Sequence, residues 1–214
     1  MIELKGVDER DKNYGKHSPV EERMEKIIET NGLTKRFGNF KAVDSVSLTV
    51  KKGEIYGFLG LNGAGKTTTI RMLLGMIRPT SGHACIKGNK VNAGNGTLWN
   101  SVGYLVEIPY SYPDLSVKEN LEIIRRLRFI PDGTVVDRVM EKLQIARYRD
   151  RKAKNLSLGN AQRLGLAKAI MHDPDVLILD EPANGLDPAG IVEIREQLHT
   201  LAYESINFKK KRNK

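Results

Sequence analysis

Residues Gly60-Leu61-Asn62-Gly63-Ala64-Gly65-Lys66-Thr67-Thr68 constrain the fold of this 214-residue chain more than any other stretch. They fit the pattern G-x-x-x-x-G-K-[ST] at each fixed position. That pattern has a mechanical meaning when a strand runs into it and a helix runs out of it. Glu54-Ile55-Tyr56-Gly57-Phe58-Leu59 is a short apolar run that predicts a buried strand, and Thr69-Ile70-Arg71-Met72-Leu73-Leu74 predicts a helix. Glycines let successive backbone N–H groups converge on an anion with no Cβ in the way. The helix start adds a partial positive charge of about half a unit. Lys66 is expected to reach the β- and γ-phosphates of a nucleotide, and Thr67 to put its hydroxyl on Mg²⁺. Gly60, Asn62, Gly63, Ala64, Gly65 and Thr68 make up the rest of the cradle.

A chain of this length suits one large domain, or one domain with an inserted subdomain. No stretch approaches the ~18 to 20 consecutive apolar residues of a membrane-spanning helix. The amino terminus, Met1-Ile2-Glu3-Leu4-Lys5, has no apolar region of signal-peptide type. Cys85 is the only cysteine, which excludes a disulfide within the chain and fits a reducing compartment. The net charge is +9, but Lys209, Lys210, Lys211, Arg212 and Lys214 carry five of the positive charges in one short run. Such a run reads as a solvated tail, so no nucleic-acid partner is expected.

Residues 1–23 are charged and mostly aperiodic and read as an extension; Met24 is an alternative start. Glu25–Thr30 predicts a first strand, residues 31–40 a turn-rich connection, and Ala42–Val50 an edge or half-buried strand. Arg78-Pro79-Thr80-Ser81-Gly82 stops the first helix. His83–Val91 predicts a strand broken at Gly88, and Val102–Val106 another. Helical periodicity over Glu119–Phe129 and Val135–Leu143 predicts a helical insert over about 111–165. Helices are also expected over Ala161–Met171 and Ala189–Ala202. The domain reading is therefore 1–23, 24–208 and 209–214, the last being the basic tail.

The run Val176-Leu177-Ile178-Leu179 ends in Asp180-Glu181. A buried strand ending in carboxylates beside the glycine loop places Asp180 near Mg²⁺ and leaves Glu181 to orient or deprotonate an attacking water. Upstream, Leu156-Ser157-Leu158-Gly159-Asn160-Ala161-Gln162-Arg163 puts a serine at a helix start, which is either an ordinary cap or an anion site.

This order of motifs resembles the nucleotide-binding domain of ATP-binding-cassette (ABC) transporters, from about Glu29 to His199. The glycine loop, the Leu-Ser-x-Gly signature, the acidic strand and the loop Asn184-Gly185-Leu186-Asp187 fall in the family's sequence. The resemblance implies an α/β P-loop NTPase fold, with a RecA-like core sheet, an antiparallel β subdomain and a helical insert. It implies ATP and Mg²⁺ as ligands, and catalytic roles for Lys66 and Glu181. Ser157 and Gly159 would meet the γ-phosphate of ATP held by a second ATP-binding domain, with Asp187 lining the same interface. Phe37 matches an aromatic that stacks on adenine, and a core or loop aromatic is the alternative. Glu107 stands where most members carry a glutamine that contacts Mg²⁺ and water, and a solvated loop acid is the alternative. Glu107 together with Leu158 resembles the branch that exports bacitracin and lantibiotics. Residues 109–120 would face a separate membrane-spanning permease subunit, with the chain held at the inner face of the cell membrane. A soluble ATPase acting on ribosomes or DNA, and a remnant that binds nucleotide with little turnover, are the competing readings.

The family also has a further core strand after the helix that follows Asp187, lying between the glycine-loop strand and the acidic strand and ending in a histidine. No histidine follows His199, which falls inside a predicted helix. The fold is therefore expected to lack its last core strands, to be unstable alone or to rearrange, and to turn over ATP poorly.

Overall fold

A computed structural model describes residues 25–212 except 93, 95, 97 and 107–109, with residues 202–212 described as backbone only. Two sheets and five α-helices organise it. Strand β1 (Lys26–Phe37) pairs antiparallel with β2 (Phe40–Lys51) on one side and with β3 (Ser81–Ile86) on the other. The short β4 (Asn89–Lys90) closes the edge, giving the order β2-β1-β3-β4. Helix α1 (Lys66–Leu73) follows the glycine loop. Strands β5 (Val102–Leu105) and β6 (Val176–Leu179) pair in parallel, Val102 opposite Val176 and Leu105 opposite Leu179. Between them come α2 (Val117–Leu127), α3 (Val135–Lys142) and α4 (Leu158–Ile170); α5 (Pro188–Arg212) comes last.

Two apolar cores result. In the first, Ile70, Met72, Leu73 and Leu74 pack α1 between the antiparallel sheet, through Ile28, Leu33 and Ile86, and the parallel pair, through Val102, Val176 and Ile178. In the second, Leu121 of α2, Val136 and Met140 of α3 and Leu164 and Ala167 of α4 interlock, with Leu177 and Leu179 of β6 against them. The helical lobe is fixed locally by a capping box. Ser116 accepts from the Glu119 amide and the Glu119 carboxylate accepts from the Ser116 amide, which satisfies two donors at the start of α2. Ion pairs join the parts at the surface: Lys87 of the β3–β4 turn with Asp175 ahead of β6, and Arg163 of α4 with Glu193 of α5.

Several expectations are corrected. Residues 54–59 form no strand; Ile55, Tyr56 and Leu59 are 57%, 45% and 80% exposed. A strand needs a ladder partner, and among the described residues no strand lies between this segment and β6. The turn-rich reading of residues 31–40 fails because β1 continues to Phe37. Its turn-type residues sit at register shifts between Thr30 and Lys35 and in the tight return from Phe37 to Phe40. Helix α4 begins three residues before Ala161, directly after its Ser157 cap, and α5 continues beyond Ala202 to Arg212.

Candidate functional site

The glycine loop is held open by one close approach. Gly65 caps α1 with φ +85°, and a Cβ there would stand 2.2 Å from the Ala42 carbonyl oxygen of β2. Only glycine both adopts that backbone and lets the loop lie against the antiparallel sheet. Gly63 also has a positive φ. The Lys66 side chain curls back over the loop. Its Nζ donates to the carbonyls of Gly60 (2.8 Å) and Leu61 (3.1 Å), with the side chain 15% exposed. Thr67 and Thr68 follow, half-buried in the first turn of α1. Asn62 and Ala64 are exposed at the loop's crest, with the Ala64 amide bonded to Leu61.

Strand β6 delivers the acids to this loop. Asp180 is 5% exposed, and its amide donates to the Leu105 carbonyl at 2.8 Å, which extends the parallel pairing to the strand's end. Glu181 follows with φ +46°, a conformation unusual for a residue with a side chain. That turn leaves the carboxylate half-exposed, with Oε1 3.8 Å from Lys66 Nζ and Oε2 accepting from Asn184 Nδ2 at 3.3 Å. The structure thus brings together the lysine and the glutamate that the sequence assigned to phosphate binding and water activation. A carboxylate in this position, open to solvent on one side, has the geometry to accept a proton from water. The Thr67 hydroxyl and the Asp180 carboxylate offer oxygen donors of the kind Mg²⁺ takes. Among the described residues no cluster of three or more His, Cys, Asp or Glu competes as a metal centre.

The signature lies at the start of α4. Ser157 is exposed and caps the helix, accepting from the Asn160 amide (3.4 Å) and from Asn160 Nδ2 (2.9 Å). Leu158 reaches over to the next loop, its Cδ2 2.7 Å from where a Cβ on Gly185 would stand, and Gly159 faces Leu186. Asp187 in that loop is exposed, and its Oδ1 accepts from the Gly190 amide at 2.9 Å, capping α5. Ser157, Gly159 and Asp187 therefore belong to one surface patch of this chain. Phe37 stands 53% exposed at the end of β1, with Lys35 Nζ 5.1 Å above its ring. Glu107 and Pro109 lie outside the described residues. Sequence reasoning passed over Lys168 and Asn120, whose side chains bond the loop at 110–116 to α2 and α4. A lysine among apolar α4 positions was the available signal.

A phosphate-cradling loop opening a helix, beside a strand that ends in two acids, defines a P-loop nucleoside-triphosphate-binding domain. Comparison with known proteins narrows the class. The family model described as ABC transporter matches residues 43–184, and the chain belongs to that family. It is 47% identical over 181 residues to the bacitracin transport ATP-binding protein BcrA of Bacillus licheniformis, and 44% identical over 182 residues to the protein of the same name in Enterococcus faecalis. Each alignment covers 85% of this chain and 59% of the relative, so the chain spans about three fifths of the length of these curated relatives. Among solved structures, an ATP-binding cassette of an ABC transporter in its ADP conformation superposes with a TM-score of 0.73 at 25% identity, covering 84% of this chain and 78% of that one. The protein cbiO1 from Clostridium perfringens, described as part of the ABC transporter complex cbiONQ, gives 0.74 at 25% identity over 84% of this chain and 75% of that one. The family's domain binds ATP and hydrolyses it to power transport. Among the described residues no helix is long and apolar enough to cross a membrane.

Proposed function

We propose that this chain is the ATP-binding subunit of an ABC exporter that moves a peptide antibiotic through a separate membrane-spanning permease subunit. The observation that carries this reading is the meeting of Lys66 and Glu181 at 3.8 Å, in a chain 47% identical to a bacitracin transport ATP-binding protein. Loop amides of residues 60–65 and the Lys66 ammonium hold the triphosphate. To do so, Lys66 exchanges the Gly60 and Leu61 carbonyls for phosphate oxygens. Thr67 and Asp180 would hold Mg²⁺, which would supply neutralisation of the charge on the triphosphate. Glu181 leaves its ion pair with Lys66 as the lysine turns to phosphate, and accepts a proton from the attacking water. Phe37 offers an exposed ring for adenine. Ser157, Gly159 and Asp187 form the face that meets ATP held by a second copy, so the working unit is a head-to-tail dimer docked at the inner face of the membrane.

In this reading residues 24–208 are the ATP-binding domain, with a helical insert at about 111–165, between the 1–23 extension and the 209–214 tail. A second reading, nucleotide binding with little turnover, is favoured by the exposed segment 54–59 that leads into the loop. Calorimetric titration with Mg-ATP beside a phosphate-release assay separates them. Binding with turnover that Glu181→Gln abolishes supports the first, and binding without turnover supports the second. No binding by a folded sample removes both.

A further inference from the structure

Lys168 lies near the end of α4 remote from Ser157, roughly 16 Å along the axis at 1.5 Å per residue. The nucleotide chemistry above does not use it. Its Nζ donates to the Tyr110 carbonyl (2.9 Å), to Ser111 Oγ (2.8 Å) and to Asn120 Oδ1 (3.3 Å). Asn120, 1% exposed on α2, completes the arrangement. Its Oδ1 accepts from the Tyr112 amide (2.8 Å), and its Nδ2 donates to the carbonyls of Tyr112 (3.1 Å), Leu115 (3.2 Å) and Ser116 (3.0 Å). Two side chains from two helices thus hold one irregular loop by its backbone.

The acceptors around Lys168 are all neutral. Acids on the loop and on α2 are engaged elsewhere: Asp114 with Lys154, Glu119 with the Ser116 amide, Glu122 with Arg125 and Arg126. Burial alone pushes the Lys168 ammonium down to about 8. Keeping a cation among neutral groups is costly, and a fully hydrogen-bonded ammonium offsets that cost only while all its acceptors stay in place. What the loop presents outward is aromatic. Tyr110 and Tyr112 are 76% and 45% exposed and meet edge to face at 5.6 Å. Paired exposed tyrosines give a rigid, amphipathic contact patch of the sort protein interfaces favour.

We infer that Lys168, acting through Asn120, is a positioning residue that ties the exposed Tyr110–Tyr112 pair to helix α4, so that movement of the Ser157 end of the helix reaches the aromatic patch. The tie itself stands on geometry. That the Ser157 end responds to nucleotide rests on the function proposed above.

Amide hydrogen exchange of the full chain, followed by mass spectrometry at one pH near 7, tests it. In Lys168→Met the Tyr112 and Leu115 amides should exchange roughly ten- to a hundredfold faster than in wild type, with β1 and β2 unchanged. Lys168→Arg should restore protection to within about threefold. Unchanged exchange at 110–116 in Lys168→Met overturns the inference, as does faster exchange that Arg does not rescue. Should Lys168→Met not fold, Lys168→Gln is read by the same criteria. A second arm adds Mg-ATP under conditions where calorimetry registers binding. Exchange at 110–116 should then change at least about twofold in wild type and stay fixed in Lys168→Met. Binding with no change at 110–116 removes the coupling. No binding sinks the proposed function, and the tie is then judged on the variants alone.

Discussion

Lys66 Nζ stands 3.8 Å from Glu181 Oε1, so the ammonium of the glycine loop and the second acid of β6 share an ion pair across the candidate site. Either partner can be altered to ask what the other does. Lys66→Met removes the charge-assisted contact to phosphate, and Mg-ATP affinity should fall by about ten- to a hundredfold in a calorimetric titration. Glu181→Gln keeps the shape, releases Lys66 and removes the base. Binding should stay within a few-fold while phosphate release drops by about 10²- to 10⁴-fold. Equal turnover in the Gln variant would take Glu181 out of the mechanism.

Gly65→Ala asks for a Cβ 2.2 Å from the Ala42 carbonyl oxygen at φ +85°. The loop must then leave β2. Urea unfolding should register a loss of about 2–3 kcal/mol, and Mg-ATP binding should go with it. A variant as stable as wild type would mean that the loop has another seat.

His172 sets a pH dependence. Its Nε2 lies 3.2 Å from the Val102 carbonyl. Burial, then the Arg128 charge, hold its pKa below the ordinary value of 6.5. The folded state favours neutral imidazole, so this contribution is complete above pH 6.5 and is lost as pH falls through the lowered folded-state value. The urea midpoint should decline as pH falls below about 6.5, the ordinary histidine value. His172→Gln, which can still donate to Val102, should flatten that decline. A midpoint equally pH-dependent in both proteins would assign the effect elsewhere.

Ile55 and Leu59, 57% and 80% exposed, border the loop beside Leu61, which is also exposed. Such an apolar strip invites self-association. Ile55→Thr with Leu59→Ser should lower the aggregated fraction in light scattering while changing unfolding free energy by no more than about 0.5 kcal/mol. A large loss of stability would show that these side chains are buried in solution.

Legibility from sequence followed the range of the forces involved. Residues 60–68 could be read because a phosphate loop is made by consecutive residues whose glycines have local reasons. The boundaries of α2 were near, 119–129 against Val117–Leu127, because helix-spaced apolar positions are a local signal, while the Ser116–Glu119 capping box that sets the true start went unread. Strand pairing is a long-range matter. The alternation in β2 was visible, but the extension of β1 through Asn31 and Gly32 was not, because bulges absorb residues that otherwise signal turns. The apolar run 54–59 looked like a strand because composition records what a segment would bury, not whether a partner stands beside it. Asn120 and Lys168 escaped notice because their partners are backbone groups of a loop, which leave no side-chain pattern to match.

Strand β6 turns Val176 and Ile178 toward one core and Leu177 and Leu179 toward the other. Neither lobe can loosen without disturbing a surface that the other also needs. Heat or urea should therefore melt the two together as one cooperative block, and a cavity cut on either side of this shared wall will be felt where its last two carboxylates stand.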